Sequence, residues 1–239
     1  MTERAMTDAK KIVLEKYPTC HAALLAGSVI RGDETKTSDL DIIIFDFSVE
    51  GAYRESFYSH DWPVEMFVYN SFSYRDFIDM DCQHGTPSLP RMISEGMPLM
   101  GADIIAPIQK EAIARLAAGP ESWDEEIINW KRYIITDLLE DLKGAKQRAE
   151  QLFTVNALAQ LLQEFYLRVN GQWTGKGKWV IRTLRDYDEA YAKQYTSALD
   201  EFYRTGNIEG IVHITDDTIR PFGGRLFEGF TLGKNNCNK

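Results

Sequence analysis

Residues 39–47, Asp-Leu-Asp-Ile-Ile-Ile-Phe-Asp-Phe, set two carboxylates two positions apart at the head of an apolar run. Such a run reads as a buried strand. With a side-chain period of two, Asp39 and Asp41 point to the same face, roughly 7 Å apart along the backbone. Unpaired carboxylates turned toward a core are destabilising. Two hard cations would remove the repulsion, because magnesium takes carboxylate and phosphate oxygens. Paired metal ions ~3.5–4 Å apart are a common device for activating an attacking oxygen and stabilising a leaving phosphate. Each acid also has an ordinary reading by itself, Asp39 as a strand-end cap and Asp41 as a water-facing residue.

The residues upstream supply the other half of such chemistry. His21 to Ala26 is a short apolar run that ends at Gly27-Ser28, which reads as a buried strand entering a tight turn. A glycine at a strand end lets backbone N–H groups approach a phosphate closely, and the serine hydroxyl adds a donor. Arg31 and Lys36, in the intervening loop, could neutralise a triphosphate tail.

Gly27-Ser28, eleven residues from Ser28 to Asp39, and then Asp39-Leu-Asp41 in an apolar strand resemble the signature of the DNA polymerase β-like nucleotidyltransferase superfamily. The resemblance covers about 45 residues, and a lone acid-x-acid pair would not carry it. It implies a third metal-binding carboxylate on a later strand, flanked by apolar residues. Glu65, in Pro63-Val-Glu-Met-Phe-Val-Tyr69, matches that position, with glutamate where aspartate is more usual. It further implies two magnesium ions, replaceable by manganese, held by Asp39, Asp41 and Glu65. The donor would be a nucleoside triphosphate such as ATP, and an acceptor hydroxyl would attack its α-phosphate to release pyrophosphate.

Gly119-Pro120 punctuates the chain and divides it into a nucleotidyltransferase head, residues 1–118, and a helical acceptor-binding domain, residues 119–239. The expected fold class is α+β: a small mixed β-sheet flanked by helices, then an all-α bundle. In the head, helical spacing over 3–17 stops at Pro18, and Ala52–Ser59 and Pro63–Tyr69 flank His60-Asp61-Trp62 as a hairpin. Helices are expected at 73–82, 88–95 and 104–117. In the second half, Ser122 and Glu125 fit a capping box opening one long helix over 123–152. Further helices are expected at 155–170, 178–186, 188–204 and 207–213.

On the 123–152 helix the apolar stripe is Ile127, Ile134, Leu138, Leu142 and Ala145, with Asp141 on its half-buried flank. An acid there could serve as a general base or bind a cationic acceptor, or form an ordinary salt bridge. The glycine-rich loop Gly171-Gln-Trp-Thr-Gly-Lys-Gly-Lys178 carries two lysines. On a flexible loop, Lys176 and Lys178 could reach triphosphate oxygens while Trp173 stacks on a ring, or the loop could be merely solvated. A head followed by a helical bundle resembles bacterial antibiotic-modifying members, the kanamycin, streptomycin and lincosamide nucleotidyltransferases. That likeness implies antibiotic resistance as a possible role, with a small hydroxylated, aminoglycoside-like acceptor.

The net charge of −9 argues against broad binding to nucleic acid phosphates and mildly favours a cationic small molecule. The same active site would suit a protein or RNA target of a toxin–antitoxin type, or a nucleotide-binding regulatory module without transfer activity. No segment approaches the ~18 consecutive apolar residues of a membrane span, and the charged N-terminus has no apolar signal core, so a cytoplasmic protein, monomer or homodimer, is expected. Cys20, Cys82 and Cys237 show no metal-ligand spacing and read as packed or surface thiols. The four histidines, His21, His60, His84 and His213, are scattered, and His60 reads as a turn residue.

Overall fold

The computed structural model describes residues 2–233; Cys237 lies outside them. The chain divides into two compact units, Met1–Gly119 and Pro120–Lys239. The first is an α+β unit built on a mixed five-stranded sheet, the second is helical.

In the first unit, helix α1 (Thr2–Lys16) leads to strand β1 (Ala22–Ala26) and a single turn of helix, α2 (Ser28–Arg31). Strand β2 (Leu40–Phe45) and the hairpin β3 (Tyr53–Ser59) and β4 (Trp62–Tyr69) follow. Helices α3 (Ser73–Gln83) and α4 (Ser88–Glu95), strand β5 (Met97–Met100) and helix α5 (Ala102–Ala118) complete it. The strand order is β3-β4-β2-β1-β5, with β2 and β4 parallel and the other neighbours antiparallel.

Both faces of the sheet are covered, which is why β2 is a continuous apolar run rather than an alternating one. Leu40, Ile42 and Ile44 pack with Ala5, Ala9, Ile12 and Val13 of α1. The opposite parity, Ile43 and Phe45, packs with Tyr74 and Ile78 of α3, Ile93 of α4 and Ile105 of α5. Asp41 shares that second parity and is the one residue of β2 that is not fully buried.

The hairpin turn is two residues, not three. His60 and Asp61 both have positive φ, 49° and 66°, the backbone that matches the right-handed twist of paired strands. Trp62 therefore opens β4; it is buried, and its indole N–H donates to the Asp8 carboxylate of α1 at 3.2 Å. Strand β5 has no counterpart in the sequence reading. Its four residues include Pro98 and carry no alternation, and a proline is tolerated there because β5 is an edge strand.

The second unit holds α6 (Glu125–Gly144), α7 (Arg148–Val169), α8 (Lys178–Tyr187), α9 (Glu189–Thr205) and α10 (Glu209–Ile219). Their core includes Ile135, Leu139, Val155, Leu158, Phe165, Leu184, Phe202 and Ile214. The single helix expected over 123–152 is two helices. Ala145 is extended (φ −65°, ψ 123°), and Gln151 donates to the Ala145 carbonyl at 3.2 Å. Gly144 stands at that break, but no proline does, and the apolar periodicity continues across it.

The cap of α6 is Asp124, whose carboxylate accepts from the Ile127 N–H at 2.8 Å, in place of the Ser122 box. The buried stripe of α6 is also rotated from the expected one. It comprises Arg132, Ile135, Thr136, Leu139 and Leu142, while Ile127 is exposed. Two polar members are buried because they are satisfied. Arg132 donates to the Gly224 carbonyl at 2.9 Å, and Thr136 Oγ1 accepts from the Leu226 N–H at 2.9 Å. The C-terminal segment thus covers a face that looks polar in the sequence.

Candidate functional site

Parallel pairing sets Asp41 of β2 beside Glu65 of β4 as direct register partners. Asp39 lies two residues before Asp41, on the same parity. Their carboxylates converge, with one oxygen from each of Asp39, Asp41 and Glu65 lying within 4.8 Å of the others. All three are half-buried. Among the described residues this is the one such grouping of potential metal-ligating side chains, and it contains no histidine or cysteine.

The cluster is electrostatically frustrated. Burial, then the charges of Asp39 and Glu65, push the Asp41 carboxyl up to about 7, and Arg31 and Arg54 only partly offset this. An all-oxygen, anionic donor set of this size fits a hard divalent cation.

Gly27 follows β1, whose Ala26 is the register partner of Asp41. Its backbone has φ +80°, and a Cβ at this position would lie 2.0 Å from Asp41 Oδ2. Glycine is thus required twice, by the backbone angle and by the carboxylate pressed against it. Ser28 is buried, and its hydroxyl donates to Ser38 Oγ at 3.0 Å. Ser38 Oγ also accepts from the Thr35 N–H at 2.8 Å. These bonds tie the Gly27-Ser28 turn to the loop that delivers Asp39.

The basic residues are distributed differently from the sequence expectation. Arg31 is held by Glu95 at 3.2 Å and Asp33 at 3.6 Å, and it still acts on the charge of Asp41. Lys36 is exposed on the loop before β2. Arg54, which the sequence reading passed over, forms an ion pair with Glu65 and lies over the Phe67 ring, 4.8 Å from its centroid. The hairpin register carried that signal. Arg54 pairs with Phe67, so Glu65 is its diagonal neighbour on the same face. A three-residue turn at 60–62 hides this relation.

Asp141, Lys176 and Lys178 belong to the second unit. Asp141 is exposed rather than on a half-buried flank, a consequence of the rotated α6 stripe. Lys176 and Lys178 are exposed, but their loop is packed rather than loose. Gly175 is buried against the Trp179 backbone, where a Cβ would fall 2.5 Å from the carbonyl, and the Trp179 N–H donates to the Lys176 carbonyl at 3.0 Å.

Cys20 and Cys82 are free thiols, the first buried and the second half-buried. His60 lies in the hairpin turn near Glu15, and His213 faces Asp217 on the surface of α10. No helix among the described residues is long and apolar enough to cross a membrane.

No protein-family model matches the chain, and no curated protein does. Among solved structures, it is similar to a nucleotidyltransferase-like protein from Exiguobacterium sibiricum. The two share 12% identity at a TM-score of 0.47, over 90% of this chain and 75% of that one. A likeness at that level says nothing about chemistry, which has to be argued from the carboxylate cluster.

Proposed function

We propose that the chain is a magnesium-dependent nucleotidyltransferase that moves a nucleoside monophosphate from a nucleoside triphosphate to a hydroxyl of a small acceptor. The observation that carries this reading is the convergence of Asp39, Asp41 and Glu65 within 4.8 Å, with Gly27 pressed against Asp41. Asp39 and Asp41 would hold both magnesium ions and Glu65 one of them. When bound, such ions supply charge neutralisation at the α-phosphate and lower the pKa of an attacking hydroxyl.

The residues of the chain provide position. Gly27 lets the Asp41 carboxylate seat directly against the turn, and triphosphate oxygens would approach the main-chain N–H groups of that turn. The Ser28–Ser38 hydrogen bond fixes that turn relative to Asp39. Arg31 and Lys36 add positive charge on the Gly27–Asp39 loop. Phosphoryl-transfer catalysis is largely positioning and charge stabilisation, so a site with few chemically reactive groups is sufficient. The net charge of −9 favours a cationic acceptor over a nucleic acid.

The test is pyrophosphate release across a panel of hydroxylated acceptors, comparing wild type with Asp39→Ala and Asp41→Ala. Turnover is expected to vanish in both while circular dichroism stays native. Activity above about a tenth of wild type in both variants would refute the assignment, since each loss removes an interaction needed in the transition state.

A further inference from the structure

One of the three carboxylates already has a cation. Arg54 reaches from β3 across to Glu65, with its guanidinium lying over the ring of Phe67. Asp39 and Asp41 are served differently: the nearby Arg31 is anchored elsewhere, by Glu95 and Asp33. The Arg54 side chain is 52% exposed and its partner 29%, so the arginine can swing into solvent at the loss of this ion pair and of its contact with the Phe67 ring. A weakly hydrated, planar guanidinium suits a carboxylate well, yet a half-exposed pair of this kind contributes little to stability. The pair is therefore easily exchanged.

We propose that Arg54 is a displaceable counter-ion of Glu65, a positioning residue that holds the third carboxylate until a divalent cation takes its place. This rests on the metal-site reading above. It implies two unequal cation affinities. The first ion enters on Asp39 and Asp41, and the second must displace Arg54 to reach Glu65. Removing the guanidinium removes both a competitor and a positive charge within a few ångströms, which corresponds to about ten-fold tighter binding of the second ion.

Manganese(II) alone is the probe, titrated into the full-length protein and followed by calorimetry and by the electron paramagnetic resonance signal of the free ion. Wild type is expected to show a tight and a weaker class of site. In Arg54→Gln the weaker class should tighten about ten-fold. Arg54→Lys, which keeps the charge, should stay close to wild type. In Glu65→Gln, the further change Arg54→Gln should have a clearly smaller effect, since only the loss of positive charge near Asp41 remains.

Equal or weaker binding in Arg54→Gln, with binding still abolished by Asp39→Ala, overturns the role of Arg54 and leaves the metal site standing. No manganese binding by wild type, or binding indifferent to Asp39→Ala, overturns both. Loss of native circular dichroism in Arg54→Gln also overturns the proposal, because the pair would then be structural.

Discussion

Replacing Asp41 with asparagine keeps the shape of the side chain and removes its charge, and in the absence of metal this should stabilise the protein. Asp41 is half-buried beside Asp39 and Glu65, and its carboxyl is raised from 3.8 to about 7. A carboxyl raised in the folded state is protonated more readily there than in the unfolded chain. Its contribution to stability is therefore complete below about pH 4 and lost as the pH rises to about 7. At roughly 1.4 kcal/mol per pH unit, the loss amounts to about 4 kcal/mol by pH 8. Relaxation around the cluster trims this, so Asp41→Asn should gain about 2–4 kcal/mol at pH 8, or roughly 8–15 °C in the midpoint of a unit this size.

The assay is urea unfolding in chelator at pH 5 and pH 8, read by circular dichroism. Hydrogen exchange of β2 and β4 would assign the transition to the first unit. The advantage of the variant should shrink sharply at pH 5, where wild-type Asp41 is largely protonated. Magnesium should narrow the gap at pH 8 by stabilising wild type alone. An Asp41→Asn protein no more stable than wild type at pH 8, or a gap of equal size at both pH values, would refute the electrostatic argument.

Gly27→Ala forces a left-handed backbone angle and a Cβ 2.0 Å from Asp41 Oδ2; it should cost about 2–3 kcal/mol and abolish magnesium-dependent nucleotide binding, read by urea unfolding and calorimetry. Asp124→Ala removes the cap of α6; a loss of about 1 kcal/mol is expected in the second unit, with manganese binding unchanged. Phe165 is fully buried and meets the Phe222 ring edge-on at 5.4 Å; Phe165→Ala should lower stability by about 3–5 kcal/mol in denaturant titration.

What could be read from the sequence follows from how local each feature is. The run Leu40–Phe45 announces a strand, and the spacing of Gly27-Ser28, Asp39 and Asp41 announces the site, because each is encoded within a few neighbouring residues. Glu65 could be placed because the family resemblance implies a third acid on a later apolar strand, and Glu65 is the acid within the run 63–69. The features that were missed depend on residues far apart in the chain. The Arg54–Glu65 pair needs the hairpin register, which turns on whether Trp62 belongs to the turn or the strand. The buried face of α6 includes Arg132 and Thr136, which look solvent-facing until Gly224 and Leu226 arrive to bond them. Asp141 followed that error, since rotating the stripe turned it out to solvent. The break at Ala145 is marked by Gly144 alone, a signal that the continuing apolar period overrides; the two helices fold back because Leu142 and Val155 share one core.

Asp39, Asp41 and Glu65 are proposed above as a metal-dependent nucleotide site. Calorimetry with each of the four nucleoside triphosphates, with and without magnesium, on wild type and Asp39→Ala, tests it most directly. Magnesium-dependent binding of at least one triphosphate to wild type, lost in Asp39→Ala, is the expected result. Binding that is indifferent to magnesium, or that survives intact in Asp39→Ala, would contradict it.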